Sequence, residues 1–136
     1  MTTLEQNKAV VLRFNKEAVE ASAEVFDQIF HKDFINHTSA PGVSNGKEGV
    51  INTFFGILRP ALSEMKIEIY DQIAEGDKVT TRKAITGIHT GVWLGIPPTH
   101  KKVKIDVIDI VTVKDGKYLE HWGMNNLQAV LAELKA

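Results

Sequence analysis

Apolar residues recur at helical spacing over the first thirty positions and at strand spacing over most of the rest. Leu4, Val11, Phe14 and Ala18 are separated by seven, three and four residues, one stripe of a helix. Thr3 followed by Gln6 fits a capping box at its start. Ser22 restarts the pattern with Val25, Phe26, Ile29 and Phe30, which predicts a second helix after a break. Phe34-Ile35-Asn36-His37 reads as a short extended stretch, and Thr38–Gly46 as a polar loop with Pro41, Gly42, Asn45 and Gly46. A third helix is predicted from Lys47 to Leu58, with Val50, Ile51, Phe54, Phe55 and Leu58 on its apolar face and Pro60 ending it.

Beyond residue 60 the period changes to two. Lys66–Ile73 alternates, Glu75-Gly76-Asp77 reads as a turn, and Val79–Ile88 is rich in β-branched residues. Gly87–Pro98 holds glycines and prolines and reads as a loop or a bending strand. Val103–Val113 is the strongest strand, Asp115-Gly116 is a hairpin signature, and Tyr118–Met124 is the return strand. Leu127–Leu134 closes the chain as a short helix. Helices first and hairpin-linked strands after them predict an α+β fold, with helices on one face of a curling antiparallel sheet. With 136 residues and no linker or repeat, the chain reads as a single domain, residues 1–136.

Composition narrows the possible functions. There is no cysteine, which rules out disulfide bridges, thiolate metal ligands and cysteine catalysis. Sixteen Lys and Arg against seventeen Asp and Glu leave no basic excess to attract nucleic acid or an anionic membrane. No apolar run nears the ~18 residues of a membrane span. The opening Met1-Thr2-Thr3-Leu4-Glu5-Gln6 is polar and acidic, unlike a signal peptide, so a cytoplasmic protein with a small-molecule ligand is expected.

Alternation also selects candidate chemistry. On the strand Ile105–Val113, Asp109 is the one polar residue in a row with Ile105, Val107, Val111 and Val113. A carboxylate among aliphatics is desolvated, which raises its pKa toward the range of a general acid or base, unless a backbone group or an arginine satisfies it. The other face, with Ile108 and Ile110, is apolar enough for both faces to be covered. The hairpin brings in Tyr118–Met124, where Leu119, His121 and Gly123 alternate against Tyr118, Glu120, Trp122 and Met124. His121 on the face of Asp109 would make a carboxylate–imidazole pair, or else is a satisfied core histidine. Trp122, on the other face, suits packing or an oligomer contact. His37 and His89 sit at strand–loop junctions, and His31 and His100 lie among lysines and are expected at the surface. Arg82 pairs with a buried carboxylate if it points inward and is a surface residue otherwise. Phosphate loops, dinucleotide fingerprints, nucleophile elbows and paired metal-binding histidines are all missing, so neither a metal nor a cofactor is expected.

Three blocks carry a resemblance. They are Asn36-His37 with Pro41-Gly42 and Gly46-Lys47-Glu48-Gly49; Gly87-Ile88-His89-Thr90-Gly91 with Leu94-Gly95-Ile96-Pro97-Pro98-Thr99; and Asp115-Gly116-Lys117 with Glu120-His121-Trp122. Their order and spacing resemble the SnoaL-like polyketide cyclase (ester cyclase) family of the nuclear transport factor 2-like superfamily. The resemblance implies a cone-shaped α+β barrel, a curved sheet wrapped around N-terminal helices with a deep pocket. It also implies a homodimer formed through the sheet face and a metal- and cofactor-free intramolecular aldol closure driven by an acidic residue. Position by position, the family's acid falls on Gly123, a second aspartate on Asn126, and an assisting histidine on Asp109. Two readings follow. In one, Asp109 and His121 catalyse cyclisation, isomerisation or hydration of a small, mostly apolar carbonyl compound that His37, His89, Asn126 and Arg82 help to bind. In the other, the same pocket binds an apolar metabolite without catalysis, as Gly123 in place of the acid suggests; a dimerising interaction domain is a third possibility.

Overall fold

The computed structural model describes residues 2–136, so Met1 lies outside the described residues. Helix α1 spans Thr3–Glu20, and its capping box is formed by Thr2 and Glu5, one residue earlier than the Thr3–Gln6 pair. Thr2 has the extended backbone that a cap needs, and each side chain bonds the other residue's N–H. The apolar stripe is as expected, with Val11, Phe14 and Ala18 buried, but Asn7 and Asn15 are buried beside it and Leu4 is exposed.

The second helical pattern shortens to a 3₁₀ turn at Ala23–Val25 and one turn, α2, at Phe26–Ile29. Phe30 belongs instead to strand β1, Phe30–Asn36, because extended backbone lets both Phe30 and Phe34 turn inward. The third helix runs through Pro60. Helix α3 (Lys47–Ile51) continues as a π-helical stretch, Asn52–Leu58, and then as α4, Arg59–Ala61. Pro60 can offer no N–H to a regular α-turn, and the widened turn before it absorbs the missing bond.

Strands β2 (Leu62–Glu75), β3 (Lys78–His89), β4 (Lys102–Lys114) and β5 (Lys117–Asn125) are joined by antiparallel pairing. Strand β1 adds to β5 in parallel, giving the order β1-β5-β4-β3-β2. The β4–β5 turn has left-handed Asp115 (φ 53°) and Gly116 (φ 74°), the twist-matched hairpin that the Asp-Gly pair predicts. Helix α5, Leu127–Lys135, buries Val130, Leu131 and Leu134.

The sheet curls around the helices, and their shared interior is aromatic. Phe14 is the hub, with ring centres 4.9 Å from Tyr118, 5.4 Å from Phe26, 5.6 Å from Phe54 and 5.8 Å from Phe30. Tyr118 reaches this cluster because the β4–β5 register shifts between Thr112 and Val113. The bulge puts one extra residue in β5 and turns Tyr118 inward beside His121, against strict alternation. The outer face of β4 is uncovered rather than packed, with Ile108 and Ile110 exposed.

The long loop between β3 and β4 plugs the cone's other end with Trp93 and Ile96, both buried. His89 is fully buried, and its Nδ1 lies 3.0 Å from Thr99 Oγ1 and accepts the Thr99 N–H at 3.3 Å. The loop also lies on α4, where the N–H groups of Thr90 and Gly91 donate to the Ala61 carbonyl. A Cβ at Gly91 would sit 2.1 Å from the Pro60 carbonyl oxygen, a backbone atom that cannot rotate away. Gly91→Ala is therefore expected to cost about 2 kcal/mol or more, the scale of overpacking a tight site. Urea unfolding of the variant measures it, and an unchanged midpoint would refute the close approach.

Candidate active site

Asp109 is nearly fully buried on the inner face of β4, opposite Thr81 of β3 and Gly123 of β5. It is not solitary. Lys83, from the inner row of β3 and equally buried, places Nζ 3.1 Å from Asp109 Oδ2. The same ammonium donates to Asn15 Oδ1 of α1 at 2.7 Å and lies 5.7 Å from the centre of the Phe14 ring. Asn15 is held in turn by a bond from Nδ2 to the Val11 carbonyl, 2.9 Å.

His121 approaches the same carboxylate oxygen, with Nε2 3.5 Å from Oδ2. Its Nδ1 is 2.9 Å from Asn36 Oδ1. The amide orientation of Asn36 follows from its neighbours, because the N–H and hydroxyl of Thr38 both donate to that oxygen. The Thr38 hydroxyl accepts the N–H of Gly123 at 2.8 Å, and the His37 N–H donates to the His121 carbonyl at 2.9 Å. The Asn36–Thr38 corner is thus latched onto β5 at His121. Both ring nitrogens of His121 face oxygen acceptors, so a doubly protonated ring would donate on both sides. Asp109 Oδ2 faces both Lys83 Nζ and His121 Nε2, and Oδ1 is buried with no hydrogen-bond partner among the described residues.

These neighbours reverse the expected titration of Asp109. Burial pushes the carboxyl up, but the Lys83 charge and the hydrogen bond and charge of His121 outweigh it. The carboxyl is held below its ordinary value rather than raised toward neutrality. Tyr118 moves the other way: burial, with the Asp109 charge second, pushes its phenol well above the usual range.

The remaining candidates lie elsewhere. His37 is on the outer side, bonded to Glu120 Oε2 at 2.9 Å and stacked on Trp122 at 4.7 Å. Arg82 also faces outward, 2.6 Å from Asp71 Oδ2 and over the Tyr70 ring. His89 is eight residues along β3 from Thr81, about 25 Å at ~3.3 Å per residue. Asn126 caps the break between β5 and α5, accepting the Asp106 N–H at 2.8 Å and bonding its carboxylate. His31, which the sequence placed at the surface, is half-buried and accepts the Asp33 N–H. Only Asp109 and His121 of the expected set meet. Two cavities open on the surface, of about 330 and 540 Å³, and neither is lined by Asp109 or His121. Phe54, Leu58, Trp93 and Ile96 are buried in the core.

The sequence reading passed over Lys83 and Asn15. Lys83 sits in the row Val79-Thr81-Lys83-Ile85, where the alternation that picked out Asp109 would have picked it out too. Asn15 lies eight residues after Asn7 and four after Val11, two helical turns and one turn away on the same stripe.

A model of the SnoaL-like polyketide cyclase family matches residues 9–134. The chain belongs to this family. Nogalonic acid methyl ester cyclase of Streptomyces nogalater is 23% identical over 109 residues, covering 79% of this chain and 81% of that protein. A crystal structure of a candidate polyketide cyclase from Bacillus cereus superimposes with a TM-score of 0.82 at 28% identity, over 96% of this chain and 80% of that one. TsrD from Streptomyces laurentii shares the fold, with a TM-score of 0.84 at 22% identity over 98% of each chain. The α+β cone with its curved sheet and N-terminal helices is that of these cyclases. Within it, Gly123 has a local reason. A Cβ there would come within 2.8 Å of the His121 ring, so this position must stay bare for His121 to lie against Asp109.

The buried pair carries a stability prediction. Asp109→Asn leaves the Lys83 ammonium buried without its anion and is expected to cost about 3 kcal/mol at pH 7. Replacing both partners, as Lys83→Met with Asp109→Leu, should cost far less. The folded carboxyl titrates below its unfolded value of ~3.9, so its stabilisation is complete above that range and is lost as pH falls through the folded value. The gap between wild type and Asp109→Asn in urea unfolding should therefore close in acid. A gap that persists there, or a double variant as unstable as Asp109→Asn, would contradict the pairing.

Proposed function

We propose that this member of the family is a cofactor-free acid–base enzyme acting on a small, mostly apolar carbonyl compound, with Asp109 as base and His121 as its acid partner. One observation carries the reading: a buried, ionised carboxylate whose Oδ2 is anchored by Lys83 and His121 while Oδ1 has no donor among the described residues. In this reading Oδ1 accepts a proton from the carbon next to a carbonyl. The C–H electron pair moves into an enolate, which attacks a second carbonyl carbon of the same molecule. The new alkoxide takes its proton from the His121 ring, and the ring is reprotonated from Asp109, so the protein ends as it began. Burial strengthens each of these charge interactions. The family's acid position is empty because His121 fills its space and takes over proton donation.

Asp109→Asn and His121→Gln should each lower kcat/KM on nogalonic acid methyl ester by about 100-fold or more, the usual worth of a general acid or base. Full turnover by Asp109→Asn would overturn the assignment. If wild type binds such compounds without converting them, the non-catalytic binding reading takes its place.

The same reading makes the protein a cytoplasmic homodimer joined through the outer sheet face. Among the described residues, no helix is long and apolar enough to cross a membrane. Ile108 stands opposite Met124 and Ile110 opposite Trp122, and Ile73 extends the strip to β2, all on the convex side. Ile73, Ile108 and Met124 are 66%, 52% and 79% exposed in the single chain, an apolar area that favours a partner. Ile108→Glu should convert the dimer to a monomer in analytical ultracentrifugation. A wild-type monomer, or an unchanged dimer in the variant, would remove this interface.

A further inference from the structure

Strand β2 is an edge of the sheet, so along Lys66–Ile69 its backbone pairs with β3 on one side only. Helix α1 runs beside that edge, and between them lies the larger cavity, of about 540 Å³. This volume falls within the ~300–1,000 Å³ of small-molecule sites. Its walls are apolar, with Leu12 and Val19 from α1 and Met65, Ile67 and Ile69 from β2. Lys16, Glu20, Lys66 and Glu68 line it as well. Asn15 is the one uncharged polar residue lining it.

Asn15 is 97% buried, and its polar group is only half used within the protein. Its oxygen accepts from Lys83, and one amide hydrogen goes to the Val11 carbonyl. The second amide hydrogen has no acceptor among the described residues. Behind Asn15, the Lys83 ammonium polarises the amide and makes that N–H a better donor. Ile69 pairs across the strands with Lys83, so the cavity wall and the ammonium are adjacent in the sheet. An apolar slot ending in one polarised donor, backed by a cation, is complementary to an apolar body carrying one acceptor oxygen.

We infer that the groove between α1 and the free edge of β2 is a binding site for the apolar body of a ketone or ester, whose carbonyl oxygen is read by the Asn15 amide. It lies two polar contacts from Asp109, through Lys83. The inference rests on the acid–base reading only for its choice of a carbonyl compound. It places ligand recognition on α1 and β2, outside the three sequence blocks and away from His37, His89, Arg82 and Asn126.

The test uses two isosteric probes, acetophenone and α-methylstyrene, which differ in C=O against C=CH₂ and need no turnover. In methyl-labelled full-length protein, acetophenone should shift the signals of Leu12, Val19, Met65, Ile67 and Ile69. It should bind about fivefold tighter than α-methylstyrene, the scale of one net hydrogen bond. Val19→Trp, which fills the slot from an only partly buried position, should weaken acetophenone at least tenfold. Asn15→Ala should erase the preference between the probes. Equal affinity for the two probes, shifts confined to methyls such as Val107 and Val111, no shifts at millimolar probe, or unaltered binding by Val19→Trp would each overturn the site. Loss of cyclase turnover with this binding intact would remove the catalytic reading and leave the groove standing. Turnover without groove shifts would do the reverse.

Discussion

A buried ammonium facing a buried carboxylate constrains the whole interior. Lys83 and Asp109 come from neighbouring strands, and each is the other's buried ion-pair partner. Moving two ions out of water carries a desolvation penalty that only close, well-bonded geometry offsets. The geometry is supplied from every side. Helix α1 brings Asn15 to the ammonium, and β5 brings His121 to the carboxylate. Strand β1 then fixes His121 through Asn36. One polar chain therefore runs from the first helix through β3, β4 and β5 to β1. An aromatic core built around Phe14 gives hydrophobic stability; this chain sets how the helix must sit against the sheet.

The pair also shapes the chemistry. A lone buried aspartate would be a carboxylic acid with a raised pKa, whereas Lys83 and His121 beside Asp109 hold its carboxyl below the ordinary value. Its anchored oxygen and its free oxygen are thereby distinguished. Position 123 is glycine for a steric reason, since a Cβ there would meet the His121 ring. The glycine at residue 123 and the imidazole at residue 121 are one arrangement.

The three sequence blocks make contacts that close the fold. Asn36-His37 grips Glu-His-Trp from both faces, with Asn36 on His121 inside and His37 on Glu120 and Trp122 outside. The block ending in Thr99 clasps His89 and seals the cone's far end. These blocks identify the family because they close the fold. The polar interior and the α1–β2 groove use residues that no short motif connects.

Local periodicity determined most of the architecture: the α1 stripe, the long strands, both tight hairpins and the inward position of Asp109. Each depends on contacts between residues near in sequence or on simple alternation, which a linear reading can follow. The resemblance supplied the cone. Tertiary structure decided the rest. The bulge that turns Tyr118 inward arises from pairing two strands of unequal residue count, and alternation within one strand cannot reveal it. The outward positions of His37 and Arg82 depend on which side of the sheet the helices cover. The depressed titration of Asp109 depends on Lys83, twenty-six residues away, and on His121 across the β4–β5 pair. A charge's environment is set by distances in space, and the fold alone brings those three residues within hydrogen-bonding reach.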